Sequence, residues 1–222
     1  MRTLYHWPLC PFCRKVRLAL EEKKLDFKCV IEYVWREREE FLELNPLGQV
    51  PVLVEENKTI LLDSTAIVEY LDEVYPEKKL LGQSVTQRTE SRRVMAYFDT
   101  KFNCEVTSKL VFEKTLKRHF GLGYTDSNII REGTKNLKKH LDYICWLIGR
   151  RHWLSGDHFS LADIAAVAHL SSLDYLGHIS WEHYPEIYDW YSRVKSRPSM
   201  RPLLEDRLPG LAPSGHYQDL DF

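Results

Sequence analysis

The chain has 222 residues, 44% hydrophobic and 28% charged, with a formal net charge of −1. That length suits two small domains better than one core, and the near-neutral balance argues against a strongly basic, nucleic-acid-binding surface. No apolar run approaches the roughly 18 residues that span a bilayer. The opening Met1-Arg2-Thr3-Leu4-Tyr5 lacks the apolar core of a secretory leader. Five cysteines, at positions 10, 13, 29, 104 and 145, show no disulfide framework, so a reducing, cytoplasmic compartment is expected.

Thr3-Leu4-Tyr5-His6 reads as a short strand. Phe12 to Glu22 reads as a helix, with Phe12, Val16, Ala19 and Leu20 on one face. Between them stands Leu9-Cys10-Pro11-Phe12-Cys13-Arg14-Lys15-Val16-Arg17. A helix N-terminus offers unpaired N–H groups and a positive dipole end. Both favour a thiolate at Cys10, and the thiolate is the reactive species. Arg14 and Arg17 are expected to add to that field. Cys13, one turn on, is placed to act as a resolving thiol. A bare Cys-x-x-Cys is also half of many zinc sites, but no second pair at the usual spacing follows, and no metal is expected.

Asp26 to Ile31 reads as a second strand, which completes a βαβ unit with parallel strands and a right-handed crossover. Trp35 to Leu44 predicts a short charged helix, ended by Asn45-Pro46-Leu47-Gly48. Gln49 to Val54 and Thr59 to Leu62, separated by Glu55-Glu56-Asn57-Lys58, predict a hairpin. Pro51 is either an edge-strand proline or a cis peptide that presents the Val50 backbone to a ligand. Asp63-Ser64 then precedes an amphipathic helix, Thr65 to Leu71. Ser64 suits the N-cap or first turn. The same geometry binds a carboxylate, and Asp63 beside it suits an ammonium. Helix capping alone explains the pair as well.

From Thr86 onward no strand is expected. Gln87 to about Phe112 predicts one long helix and Asp126 to Ile148 another, with a loop at Gly121-Leu122-Gly123-Tyr124. Ser160-Leu161-Ala162-Asp163 is a capping box opening an apolar helix to Leu176, the expected centre of the second core. Trp146, Trp153, Trp181 and Trp190 are expected to build that core. Pro185 to Ser196 predicts a last helix, stopped at Arg197-Pro198. The tail from Pro209 to Phe222 is rich in Pro and Gly and cannot be a regular helix. Leu211, Tyr217, Leu220 and Phe222 are costly to leave in water, so the tail is expected to pack against the body or dock to a partner.

Taken in order, these segments resemble the glutathione transferase superfamily. The resemblance implies an α/β thioredoxin-like N-terminal domain over residues 1–77, a linker at 78–85, an all-α helical C-terminal domain over 86–206 and a tail at 207–222. Cys-Pro-Phe-Cys at 10–13 resembles the active-site turn of glutaredoxins and cysteine-type transferases. Gln49-Val50-Pro51 resembles the cis-proline segment that pairs with the cysteinyl part of glutathione. Asp63-Ser64 resembles the pair that holds its γ-glutamyl end. The resemblance therefore implies glutathione as a co-substrate, Cys10 and Cys13 as catalytic residues, and Gln49, Val50, Pro51, Asp63 and Ser64 as glutathione-binding residues. Tyr5 is a second group for the glutathione sulfur, or a packing residue. Arg197 to Leu204 and His216 to Phe222 resemble the FzlA group of FtsZ-binding division proteins, which act by binding, as dimers. Two expectations follow: a cytoplasmic, homodimeric FtsZ-binding division factor, or a glutathione-dependent transferase or thiol-disulfide oxidoreductase using Cys10.

Overall fold

Four strands form one mixed sheet in the order β2-β1-β3-β4 in the computed structural model, which describes residues 1–220. β1 (Arg2–His6) and β2 (Phe27–Ile31) run parallel, joined by α1 (Pro11–Glu22). β3 (Val52–Val54) runs antiparallel to β1 with Leu53 opposite Leu4, and β4 (Ile60–Leu62) pairs with β3. Residues alternate between the two faces of a strand, so Arg2, Leu4 and His6 are buried while Thr3 and Tyr5 are half-buried. α3 (Ser64–Val74) packs beside α1.

The charged stretch predicted as one helix over Trp35–Leu44 breaks in two. A 3-10 turn covers Val34–Arg36, Glu37 has φ of 46°, and α2 is the single turn Glu39–Leu42. The aromatic anchors explain the break. Trp35 packs edge-on to Trp7 at 5.1 Å, whereas Phe41 packs on Tyr5 at 5.6 Å. Six residues on a straight helix would point these rings in different directions.

The second half is helical. α4 (Val85–Tyr97) runs without interruption into a π-helical stretch Phe98–Thr107, then α5 (Ser108–Val111), then a second π-helical stretch Phe112–Leu116. The predicted long helix therefore exists, but not as a regular α-helix. Val94, Phe98, Phe102, Val106 and Leu110 recur every four residues and are all fully buried. A four-residue repeat drifts about 40° per step on an α-helix. The wider π winding absorbs that drift and keeps all five on the core. α6 (Ser127–Ile148) is capped by Asp126, whose Oδ1 accepts the Asn128 N–H at 2.8 Å. It approaches the first long helix closely at Gly133, where a Cβ would lie 2.9 Å from Leu110.

α7 (Leu161–Tyr175) is buried along its whole length and carries the expected capping box of Ser160 and Asp163. Asp163 also accepts the Leu154 N–H and the Trp190 indole N–H, both at 3.0 Å. α8 (Pro185–Lys195) and α9 (Arg201–Leu204) complete the helices. Of the four tryptophans expected in this core, Trp190 and Trp181 are buried and Trp153 is half-buried. Trp146 is not a core residue: it is 51% exposed, with the Arg150 guanidinium 4.4 Å over its ring.

The tail packs against the body. Tyr217 is fully buried, donates its hydroxyl to the Leu203 carbonyl at 3.0 Å and stands edge-on to Tyr175. Ser214 donates its N–H to the Tyr175 carbonyl and its hydroxyl to that of Asp174. Leu211 is half-buried and Leu220 is 40% exposed; Phe222 lies outside the described residues. No helix among the described residues is long and apolar enough to cross a membrane.

Candidate thiol and glutathione site

Sheet register gathers the site. Tyr5 pairs with Val52, and Val52 pairs with Leu62. The chain leaves β1 after His6, enters β3 at Val52 and leaves β4 after Leu62. The Cys10 turn, the Val50–Pro51 segment and the Asp63–Ser64 turn therefore emerge at one end of the sheet.

Cys10 is the N-cap of α1, in an extended conformation, with Pro11 as the first helical residue. Proline suits that place because its missing N–H would be unpaired there anyway. Cys10 is half-buried and Cys13 fully buried. The Trp7 N–H donates to the Cys13 sulfur at 3.4 Å. The Cys13 thiol hydrogen-bonds the Cys10 sulfur, and this outweighs burial; with the N–H groups of Cys13 and Phe12 and the charge of Lys15, it holds Cys10 below an ordinary thiol. Burial and the Cys10 sulfur push Cys13 well up. The pair is thus split into one activated thiol and one protonated donor.

Two of the cations expected to support Cys10 have another task. Arg14 donates to the Pro8 carbonyl at 2.7 Å, to Ser171 at 2.8 Å and to Asp206 at 3.3 Å. Arg17 donates to Asp206 and to the Pro202 carbonyl. Both stitch α1 to the C-terminal segment, because α7 and the Pro198–Met200 turn pack on what would otherwise be the solvent face of α1. Lys15 is the cation that acts on Cys10.

The Val50–Pro51 peptide is cis. Asn45, which sequence reasoning passed over as part of a helix stop, braces the loop before it. Its amide donates to the Gln49 carbonyl at 2.8 Å while its oxygen accepts the Leu47 N–H at 3.1 Å. Asp63 takes the capping alternative with one of its oxygens. It is the N-cap of α3, with φ of 64°, and its Oδ1 accepts the N–H groups of Thr65 at 2.8 Å and Ala66 at 3.1 Å. That oxygen is committed to the helix rather than free for an ammonium. Ser64 is the first residue of α3 and is buried. Tyr5 packs against Phe41. Trp35, on the loop after β2, stacks on His119 from the helical half at 4.5 Å, an aromatic contact with no periodic signal in the sequence.

Residues 4–79 match the family model of the glutathione S-transferase N-terminal domain, and residues 104–198 match that of its C-terminal domain. The chain belongs to the glutathione S-transferase family. Its α/β first half and helical second half are the two domains of that fold. The chain is 46% identical to FtsZ-localized protein A of Caulobacter vibrioides, over 100% of this chain and 98% of that protein. It matches the solved structure of a glutathione S-transferase from Rhodospirillum rubrum F11 at a TM-score of 0.97, with 54% identity and 100% of both chains covered. It matches the structure of FzlA from C. crescentus at a TM-score of 0.96, with 46% identity, 100% of this chain and 99% of the other covered. The thiols of the transferase scaffold are therefore set in a chain similar throughout its length to an FtsZ-localized protein.

Proposed function

We propose that this chain is a cytoplasmic, homodimeric cell-division factor that binds FtsZ through a glutathione S-transferase scaffold. The observation that carries this reading is the end-to-end similarity to FtsZ-localized protein A. A dimer presents two copies of one surface, and two attachments to a filament give avidity without a tight single site. Co-sedimentation of the full chain with polymerised FtsZ is the test. The chain should pellet with filaments and stay in the supernatant without them; failure to pellet overturns the reading. The full chain is needed because Tyr217 fills the core, so truncating the tail would damage the fold. Sedimentation velocity should give twice the chain mass.

A second reading is favoured by the split thiol pair. Cys10 would act in glutathione-dependent thiol exchange, with Gln49, Val50, Pro51, Asp63 and Ser64 around the bound tripeptide. The Cys10 thiolate attacks the glutathionyl sulfur of a mixed disulfide, forming Cys10–S–S–glutathione and releasing the other partner as its thiolate. A second glutathione thiolate then attacks that glutathionyl sulfur. It releases glutathione disulfide and restores Cys10. Cys13, protonated and buried, serves as the hydrogen-bond donor to Cys10 in this route. Calorimetric titration should detect glutathione at millimolar concentration; no heat there ends this reading and leaves the division role untouched.

A further inference from the structure

A buried polar cluster joins the two halves of the candidate glutathione site through the helical domain. Asp99, at the start of the first π-helical stretch, is its centre. Lys15 Nζ lies 2.5 Å from Asp99 Oδ2 and 3.3 Å from the Thr65 hydroxyl, which donates to the same Asp99 oxygen at 3.4 Å. His169 of α7 faces the other oxygen, Nε2 to Oδ1 3.7 Å, and its Nδ1 meets the Thr107 hydroxyl at 2.9 Å. The His169 ring also stands edge-on to Phe12, within the Cys10–Cys13 turn, at 5.8 Å. The Lys15 and His169 side chains are each 1% exposed and that of Asp99 is 12% exposed.

Burying an ammonium and a carboxylate together costs desolvation that a surface pair escapes. Its position gives this pair a use. Lys15 lies just past the thiol turn, and Thr65 directly follows Ser64 in the turn that opens α3. We propose that Asp99 and Lys15 are positioning residues of the glutathione site. One carboxylate of the helical domain fixes the thiol turn through Lys15 and the γ-glutamyl turn through Thr65, and holds the Lys15 charge beside Cys10. This rests on the thiol-exchange reading. The other groups near Cys10 are Cys13 and the N–H groups of Phe12 and Cys13, while Arg14 and Arg17 are engaged by Asp206.

The test is the pH dependence of Cys10 alkylation, read at Cys10 by mass spectrometry, and it needs no glutathione. Lys15→Gln keeps a donor toward Asp99 and Thr65 but removes the charge. The Cys10 midpoint should rise by roughly half a pH unit, about threefold less thiolate below the midpoint. Lys15→Met/Asp99→Asn, which leaves no lone buried charge, should shift it in the same direction and keeps the test open if the single variant fails to fold. Lys15→Arg should restore the wild-type midpoint. An unmoved midpoint in a folded variant lacking the Lys15 charge overturns the proposal whether or not glutathione binds. If the wild-type chain binds no glutathione, the thiol-exchange reading fails, while a raised midpoint still supports the role of Lys15 at the thiol turn. Where glutathione does bind, Thr65→Val should weaken it roughly threefold; unchanged affinity overturns the γ-glutamyl half.

Discussion

Arg17 Nη1 donates to both carboxylate oxygens of Asp206, at 3.0 and 2.7 Å, and so ties the first helix to the end of the last one. Arg14 reaches the same carboxylate and is fully buried. Removing one partner of a buried ion pair leaves an uncompensated charge. Asp206→Asn is therefore expected to cost about 3 kcal/mol, measured by urea unfolding. An unchanged midpoint would show that solvent compensates both guanidinium groups.

Tyr217 makes the tail part of the core. Tyr217→Ala should cost about 3–5 kcal/mol, the usual range for removing a buried aromatic ring. Tyr217→Phe keeps the ring but loses the hydroxyl's bonds to the Leu203 carbonyl and to Arg14 and should cost about 2 kcal/mol. Thermal denaturation of both variants separates packing from hydrogen bonding. A tail that merely lies on the surface would leave both near wild type.

Acid should destabilise the chain in two steps. Burial, with the nearby Arg17 charge, brings His6 down from 6.5 to about 4. The unfolded chain takes up that proton first, so stability is full above pH 6.5 and declines from there toward pH 4. Burial alone would raise the Glu22 carboxyl, but donors from Arg197, Lys78 and Ser199 outweigh it and bring it from 4.5 to about 2. Its folded value is depressed, so its contribution is present above pH 4.5 and is lost as pH falls toward 2. Glu22→Gln should lose about 3 kcal/mol at pH 7 and show a flatter decline below pH 4.5. His6→Gln should flatten the earlier step. Unfolding free energies at pH 7, 5 and 3 check both.

The split thiol pair makes its own prediction. Cys13→Ala removes the donor that contributes most to lowering Cys10. Alkylation of Cys10 at pH 7 should slow several-fold, with its midpoint moving toward the ordinary thiol value of about 8.5. Cys13→Ser retains a donor and should fall between. Equal rates in all three proteins would show that the helix end and Lys15, not the Cys13 thiol, activate Cys10.

Local patterns carried much of this molecule. Short strand-like runs bounded by turn residues marked β1, β2 and the hairpin. Capping chemistry marked α7, and the resemblance to glutathione transferases assigned Cys10–Cys13, Val50–Pro51 and Asp63–Ser64 to one site. Those signals are short-range, and the backbone obeys them wherever nothing opposes them. The tertiary structure decided what the same side chains do. Arg14 and Arg17 read as cations beside a thiol, yet the arrival of Asp206, 189 positions after Arg17, made them a clamp. Asp63 read equally as a cap or a ligand group, and its Oδ1 caps α3. Lys15 had no distinction from its neighbours until Asp99 and Thr65 met it. Chain order specifies which residue types are available; which charges meet in the low-dielectric interior depends on contacts between distant segments, and only the packed fold creates those.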